Sequence, residues 1–333
     1  MKWFGPVRET SSQFVEALHA GRHGQMDAEK LLASLIADSA KPSIARATAL
    51  SLLPAYLTSD SVPVVRAALV DSDPMVRAAA VRTLEPLSPQ ERASMAAPLL
   101  ADPVRSVRIE AARLLAGTAP ELREDVEKTE LDRATAELVA SEMATAERPE
   151  NHLNLSLLYS QLGREDDARR ELMTALQLDP KFVPAMVNLA DLCRAEGRDG
   201  DAEQWLRKAV ATAPNGAGPI HALGLLRVRQ KRYADALALL GKAAELQPEN
   251  ARYSYVYAVA LNSNGQPSKA IAVLEKAHRQ RPADREVLGG LVAIERDRGN
   301  RKAAVAYAEQ LANLDPNDPN TKALLADLGS RLR

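Results

Sequence analysis

The chain has 333 residues, 46% hydrophobic and 26% charged, the mix of a soluble globular protein of about two domains. Lys plus Arg number 43 against 44 for Asp plus Glu, so no whole-chain field favours a polyanion, and nucleic acid is not expected as the main partner. A single cysteine, Cys193, excludes an intrachain disulfide and a cysteine-based metal cluster.

Residues 1–26 begin Met1-Lys2-Trp3-Phe4-Gly5-Pro6, also contain Gly21 and Gly24, and read as a partly irregular N-terminal segment. The start lacks the apolar run and cleavage site of a signal peptide. No window approaches the ~18 apolar residues that span a bilayer. The expectation is a soluble chain without a membrane span or export signal. A fragment of a larger secreted protein would look the same.

Residues 27–118 repeat with a period of 31: Arg46, Arg77 and Arg108; Ala49, Ala80 and Ala111; Leu53, Leu84 and Leu115. Asp73-Pro74 and Asp102-Pro103 precede two of these arginines, an acid suited to cap a helix and a proline suited to its first turn. The pattern resembles short HEAT repeats, three units in number. The block holds ten acids and ten bases, so it does not read as a DNA cradle. Its arginines are expected to form a ladder with aspartates of neighbouring repeats.

Residues 119–148 hold nine acids against four bases, with Leu131, Ala134, Leu138 and Val139 as an apolar stripe. A long acidic helix is expected there, closing the first block and pairing with the next.

From 149 the period changes to 34. Pro180, Pro214, Pro248, Pro282 and Pro316 keep this spacing, as do Ala168, Ala202, Ala236, Ala270 and Ala304. A second alanine set is Ala175, Ala209, Ala243 and Ala277. Leu155, Leu189, Leu223 and Leu291 hold a third register, in which Tyr257 replaces leucine. Glycines fall at Gly163, Gly197, Gly265 and Gly299, with Lys231 in the remaining slot. Alanine permits close helix approach, glycine a left-handed cap, and proline a stop after the second helix. The pattern resembles the tetratricopeptide repeat, five times over 149–318. Leu324, Leu325, Leu328 and Leu332 in 319–333 suit a terminal capping helix. The fold class expected is all-α: a right-handed solenoid of HEAT-like and then tetratricopeptide-like pairs.

Chemistry is scarce. His19 and His23 have the i, i+4 spacing of a metal pair, but glycines beside them and the lack of a metalloprotease glutamate favour surface histidines. Cys193 reads as a buried structural thiol. No nucleophile elbow, phosphate loop or dinucleotide fingerprint is present, so no enzyme activity, metal or other cofactor is expected. Arg227, Arg229, Lys231 and Arg232 are four cations in six residues. They read as a solvated helix end complementing the carbonyl dipole rather than a receptor for an acidic peptide.

A concave groove lined by the first helix of each tetratricopeptide-like repeat remains as the candidate site, for a protein or peptide partner. Its candidate residues are Asn154, Asn188, Asp191, Arg194, His221, Arg252, Tyr255 and Asn262. Repeat proteins that clamp a peptide carboxylate pair such asparagines with cations. Here Leu153, Gly218 and Ala222 stand in the cations' places. Tyr253, Tyr255 and Tyr257 cannot all face inward from one helix, so at least one is expected at the surface, while Tyr257 takes a core register.

The order Trp3-Phe4-Gly5-Pro6, short HEAT repeats, Asn154-Leu155, Tyr159 and Phe182-Val183-Pro184-Ala185 resembles the C-terminal half of bacterial secreted multihaem c-type cytochromes with tetratricopeptide repeats. That resemblance implies a haem domain upstream and a periplasmic location. This chain has no Cys-x-x-Cys-His motif and would supply the docking half; a chain complete as written would be cytoplasmic.

Overall fold

The computed structural model describes residues 12–118 and 128–330. Among them are nineteen α-helices and no strand. They divide into two compact units, with the boundary between Glu137 and Leu138.

The first unit contains α1 (Ser12–His23), α2 (Ala28–Ala37), α3 (Ser43–Leu52), α4 (Val62–Ala68), α5 (Pro74–Thr83), α6 (Pro89–Ala96) and α7 (Arg105–Ala116). Short 3-10 turns, Leu53–Ala55 and Ala97–Ala101, follow α3 and α6. α8 (Lys128–Met143) begins in this unit and ends in the second. α3 packs on α5 and α5 on α7, an inner row carrying the 31-residue pattern. Ala49, Ala80, Ala111, Leu53, Leu84 and Leu115 are all fully buried in it. Asp73 caps α5 by accepting from the Met75 N–H at 2.8 Å. Ser88 and Glu91 form a reciprocal capping box on α6. The N-terminal segment is more regular than its glycines suggest. Gly21 lies inside α1, where an added Cβ would sit 3.1 Å from Leu32, and the Tyr56 hydroxyl donates to the Gly21 carbonyl at 2.5 Å. Glycine at this position thus permits a close approach between helices. The acidic stretch forms α8 from Lys128; its earlier part, 119–127, lies outside the described residues.

The second unit is five helix pairs and a cap. The first helices are α9 (Pro149–Gln161), α11 (Val183–Ala195), α13 (Ala217–Arg229), α15 (Ala251–Ser263) and α17 (Arg285–Asp297). Their partners are α10 (Glu165–Leu178), α12 (Asp199–Thr212), α14 (Tyr233–Leu246), α16 (Pro267–Gln280) and α18 (Arg301–Leu314). α19 (Pro319–Ser330) follows. Ala168, Ala202, Ala236, Ala270 and Ala304 are each at most 1% exposed, which lets the paired backbones approach closely. Gly163, Gly197, Gly265 and Gly299 end the first helices with φ of 72° to 78°, and Lys231 takes the same left-handed turn at 59°. α19 buries Leu328 against Val292, Ala304 and Ala308. The all-α repeat solenoid expected from the two periods is thus the observed fold class.

Candidate functional site

Because the first helices recur every 34 residues, equivalent positions form rows across the second unit. One row is Leu157, Asp191, Leu225, Val259 and Ala293; the next turn supplies Ser160, Arg194, Val228, Asn262 and Arg296. Leu157, Leu225 and Val259 are 46%, 38% and 42% exposed, so this face presents side chains of core type to solvent. Two depressions open along it. The larger, 410 Å³, lies among α13, α14 and α15, with Leu225, Val228, Tyr233, Leu237, Val256 and Val259 in its wall. The smaller, 240 Å³, lies among α11, α12 and α13 and is bordered by Asp191, Arg194, His221 and Ala222. Leu225 belongs to both walls and joins them.

Three of the eight residues expected in the groove, Asp191, Arg194 and His221, therefore meet at one depression. Arg194 Nη2 donates to Asp191 Oδ1 at 2.8 Å. Partial burial against the depression pushes the Asp191 carboxyl above the ordinary carboxylate range, although Arg194 pulls the other way and the side chain stays half exposed. Burial and, secondarily, the charge of Arg252 push the His221 imidazole down. His221 also stacks on Tyr253 at 4.5 Å between ring centroids.

The other five are placed differently. Asn154 donates to Glu142 Oε2 of α8 at 3.0 Å, and Asn188 to the Pro184 carbonyl of its own helix at 2.9 Å. Arg252 pairs with Glu286 and lies 5.7 Å from the centre of the Tyr255 ring. Asn262 is half-buried in the last turn of α15. Tyr255 packs against the core of α15, α16 and α17.

The expectation of an exposed tyrosine is corrected: Tyr253, Tyr255 and Tyr257 are all half-buried. Each faces a glycine. A Cβ on Gly290 would lie 3.1 Å from Tyr255, one on Gly241 3.0 Å from Tyr257, and one on Gly218 3.7 Å from the Tyr253 hydroxyl. At Gly290 and Gly241 the missing side chain makes room for the ring, whereas Tyr253 meets Gly218 at ordinary contact distance and stacks on His221.

The basic cluster is corrected at one member, while Arg229, Lys231 and Arg232 are exposed as expected. Arg227 is not solvated: it is 4% exposed and held by both Glu203 oxygens, at 2.6 and 2.8 Å. That contact brings the Glu203 carboxyl down to about 2. Arg229 pairs with Asp199 and Arg232 with Asp235. His19 and His23 stack on the surface of α1, with the His23 ring 2.9 Å from the His19 carbonyl. Cys193 is buried, with the Arg198 guanidinium 3.6 Å from its sulfur. Among the described residues no three His, Cys, Asp or Glu side chains group as metal ligands, and no helix is long and apolar enough to cross a membrane.

In the first unit the arginine ladder forms. Arg46 reaches Asp71 at 2.5 Å, Arg77 grips Asp102 through two bonds of 2.8 and 2.9 Å, and Arg108 grips Glu137 through two of 2.9 Å. Arg77 and Arg108 also donate to the carbonyls of Asp71 and Asp102. These cations are occupied in holding repeat to repeat.

No curated protein matches the sequence. PilW, a widely conserved type IV pilus biogenesis factor, matches with 20% identity and a TM-score of 0.50, over 68% of this chain and 100% of its own. PilF of Pseudomonas aeruginosa matches at 17% and 0.46, over 67% and 99%. YrrB, a tetratricopeptide-repeat protein with an unusual peptide-binding site, matches at 17% and 0.42, over 57% and 96%. At such identities the likeness concerns the fold. Family models settle the repeat types: HEAT repeats match residues 28–116, and the tetratricopeptide repeat matches 161–223, 221–285 and 261–328. The chain is a repeat protein built of HEAT repeats followed by tetratricopeptide repeats.

Proposed function

We propose that the chain is a non-catalytic scaffold that binds an extended peptide or protein segment along the first-helix face of its tetratricopeptide repeats. The observation that carries this reading is the pair of depressions joined at Leu225, with side chains of core type held open on rigid helices. Burying Leu225, Val228, Tyr233 and Val259 under a partner removes apolar surface from water at about 25 cal/mol per Å². The test uses the full chain and a phage library of random dodecapeptides. Wild type is expected to enrich peptides that the Leu225→Asp/Val259→Asp double variant does not retain. Both positions are exposed, so circular dichroism and the thermal melt should stay unchanged. Equal enrichment by the two proteins would remove the groove from this role.

The motif order shared with multihaem cytochromes supports a second reading, in which this chain is the docking half of an electron-transfer protein. Cys-x-x-Cys-His motifs encoded directly upstream of Met1 would favour it; their absence there would count against it.

A further inference from the structure

The two depressions differ in chemistry. The larger is lined almost entirely by aliphatic groups and Tyr233. The smaller contains Asp191, the one charged member of the row Leu157, Asp191, Leu225, Val259 and Ala293. Among the described residues this carboxylate has a single side-chain partner, Arg194, which engages Oδ1. We infer that the groove recognises a bipartite extended segment: a bulky apolar side chain in the depression of Leu225, Val228, Tyr233 and Val259, and a lysine or arginine at Asp191.

This inference rests on the peptide-groove reading and specifies its ligand. Charge decides for a basic rather than an acidic residue. Asp191 stays half exposed at the depression with Arg194 on one oxygen only, so its second oxygen can accept from an incoming cation. An incoming carboxylate would meet Asp191 itself. It would find Arg194 already engaged and Arg252 paired with Glu286, while the desolvated imidazole of His221 resists taking on charge. Spacing follows from geometry. Asp191 is on α11 and the apolar depression lies between α13 and α15, about one and a half spacings of packed helices or roughly 12–15 Å away, and an extended chain advances about 3.3 Å per residue. The apolar anchor and the cation are then about three to five residues apart.

The dodecapeptide selection supplies the test. Peptides enriched by wild type should share a Leu, Ile, Phe or Trp and a Lys or Arg about three to five residues from it. A fluorescein-labelled peptide of that consensus is then titrated against full-length protein by anisotropy. Replacing its basic residue with alanine should weaken binding to wild type about three- to tenfold, and this ratio should shrink in high salt. With Asp191→Asn the ratio should fall to about one, and with Asp191→Glu it should persist. If enriched peptides lack the basic residue, or Asp191→Asn leaves the ratio unchanged, the bipartite inference falls while the groove stands. If no peptide is enriched, or the Leu225→Asp/Val259→Asp variant enriches the same ones, both fall together.

Discussion

At Lys231 the backbone adopts φ of 59° in a turn where the other four repeats carry glycine. A side chain in this region brings its Cβ against the following carbonyl, at a cost of about 1–2 kcal/mol. Lys231→Gly should therefore stabilise the second unit by about 1 kcal/mol, read as a raised denaturant midpoint; a lowered midpoint would show that the lysine has a compensating contact. Tyr255 gives the opposite sign. Its ring fills the space left by Gly290, so Tyr255→Ala should cost about 2–4 kcal/mol. Loss of a bound peptide in that variant would accordingly reflect lost packing, whereas Arg194, on the surface, can be replaced without moving the melt. The role of Tyr255 was hard to read in sequence because it depends on a glycine 35 residues away, outside the 34-residue register. Helical spacing shows which residues share a face; it does not show where a neighbouring helix lacks a side chain.

Helix by helix, the alanine and arginine periods were legible for a direct reason: a side chain of one methyl group allows backbone approach, and one fixed cation ties adjacent repeats. Ala270→Leu should overpack the α15–α16 pair and cost about 1–3 kcal/mol in chemical denaturation. Ala236 is a weaker probe, because it borders the open apolar depression and a leucine there has room on one side. The ladder's third acid was less legible. Asp71 and Asp102 are 31 apart, but the next such position is Arg133; Glu137, one helical turn farther along α8, takes the place instead. Burial pushes the carboxyls of Asp71 and Asp102 up, but arginine bonds, backbone N–H bonds and arginine charge together hold them below their ordinary values, and at Glu137 the Arg108 bond leads in doing so. A carboxyl lowered by folding stabilises fully above its unfolded pKa, near 4, and loses that contribution as pH falls through the folded value. The first unit should therefore lose stability progressively below about pH 4. Asp102→Asn should lower its stability at pH 7 by about 2–4 kcal/mol and make the acid transition shallower, measured by urea titrations from pH 7 to 2.5. An unchanged pH slope would mean that Asp102 is not one of the titrating rungs.

Across the molecule, strong packing runs between helices near in sequence, so stability in each unit is a sum of local terms and nearest-neighbour interfaces. The end of the second unit depends on α19. Leu328→Asp should expose Val292, Ala304 and Ala308 and loosen α17 and α18 first, seen as faster hydrogen exchange there while α9 and α10 keep their protection. Uniform loosening of all five pairs would contradict that locality. At this scale the helix pairs were legible from two periods, because each repeat meets its neighbours in the same way. The apolar depression was not singled out, although Leu157, Leu225 and Val259 stood on the 34-residue grid; in sequence an outward leucine is indistinguishable from an inward one. The three tyrosines of α15 bear on how that surface behaves. Two of them wedge against glycines of α14 and α17 and the third stacks on His221 of α13, so together they fasten the ground on which the depression is built. A ligand then arrives at a receptor whose contour is already set, and its affinity is not diminished by the entropy of shaping the host.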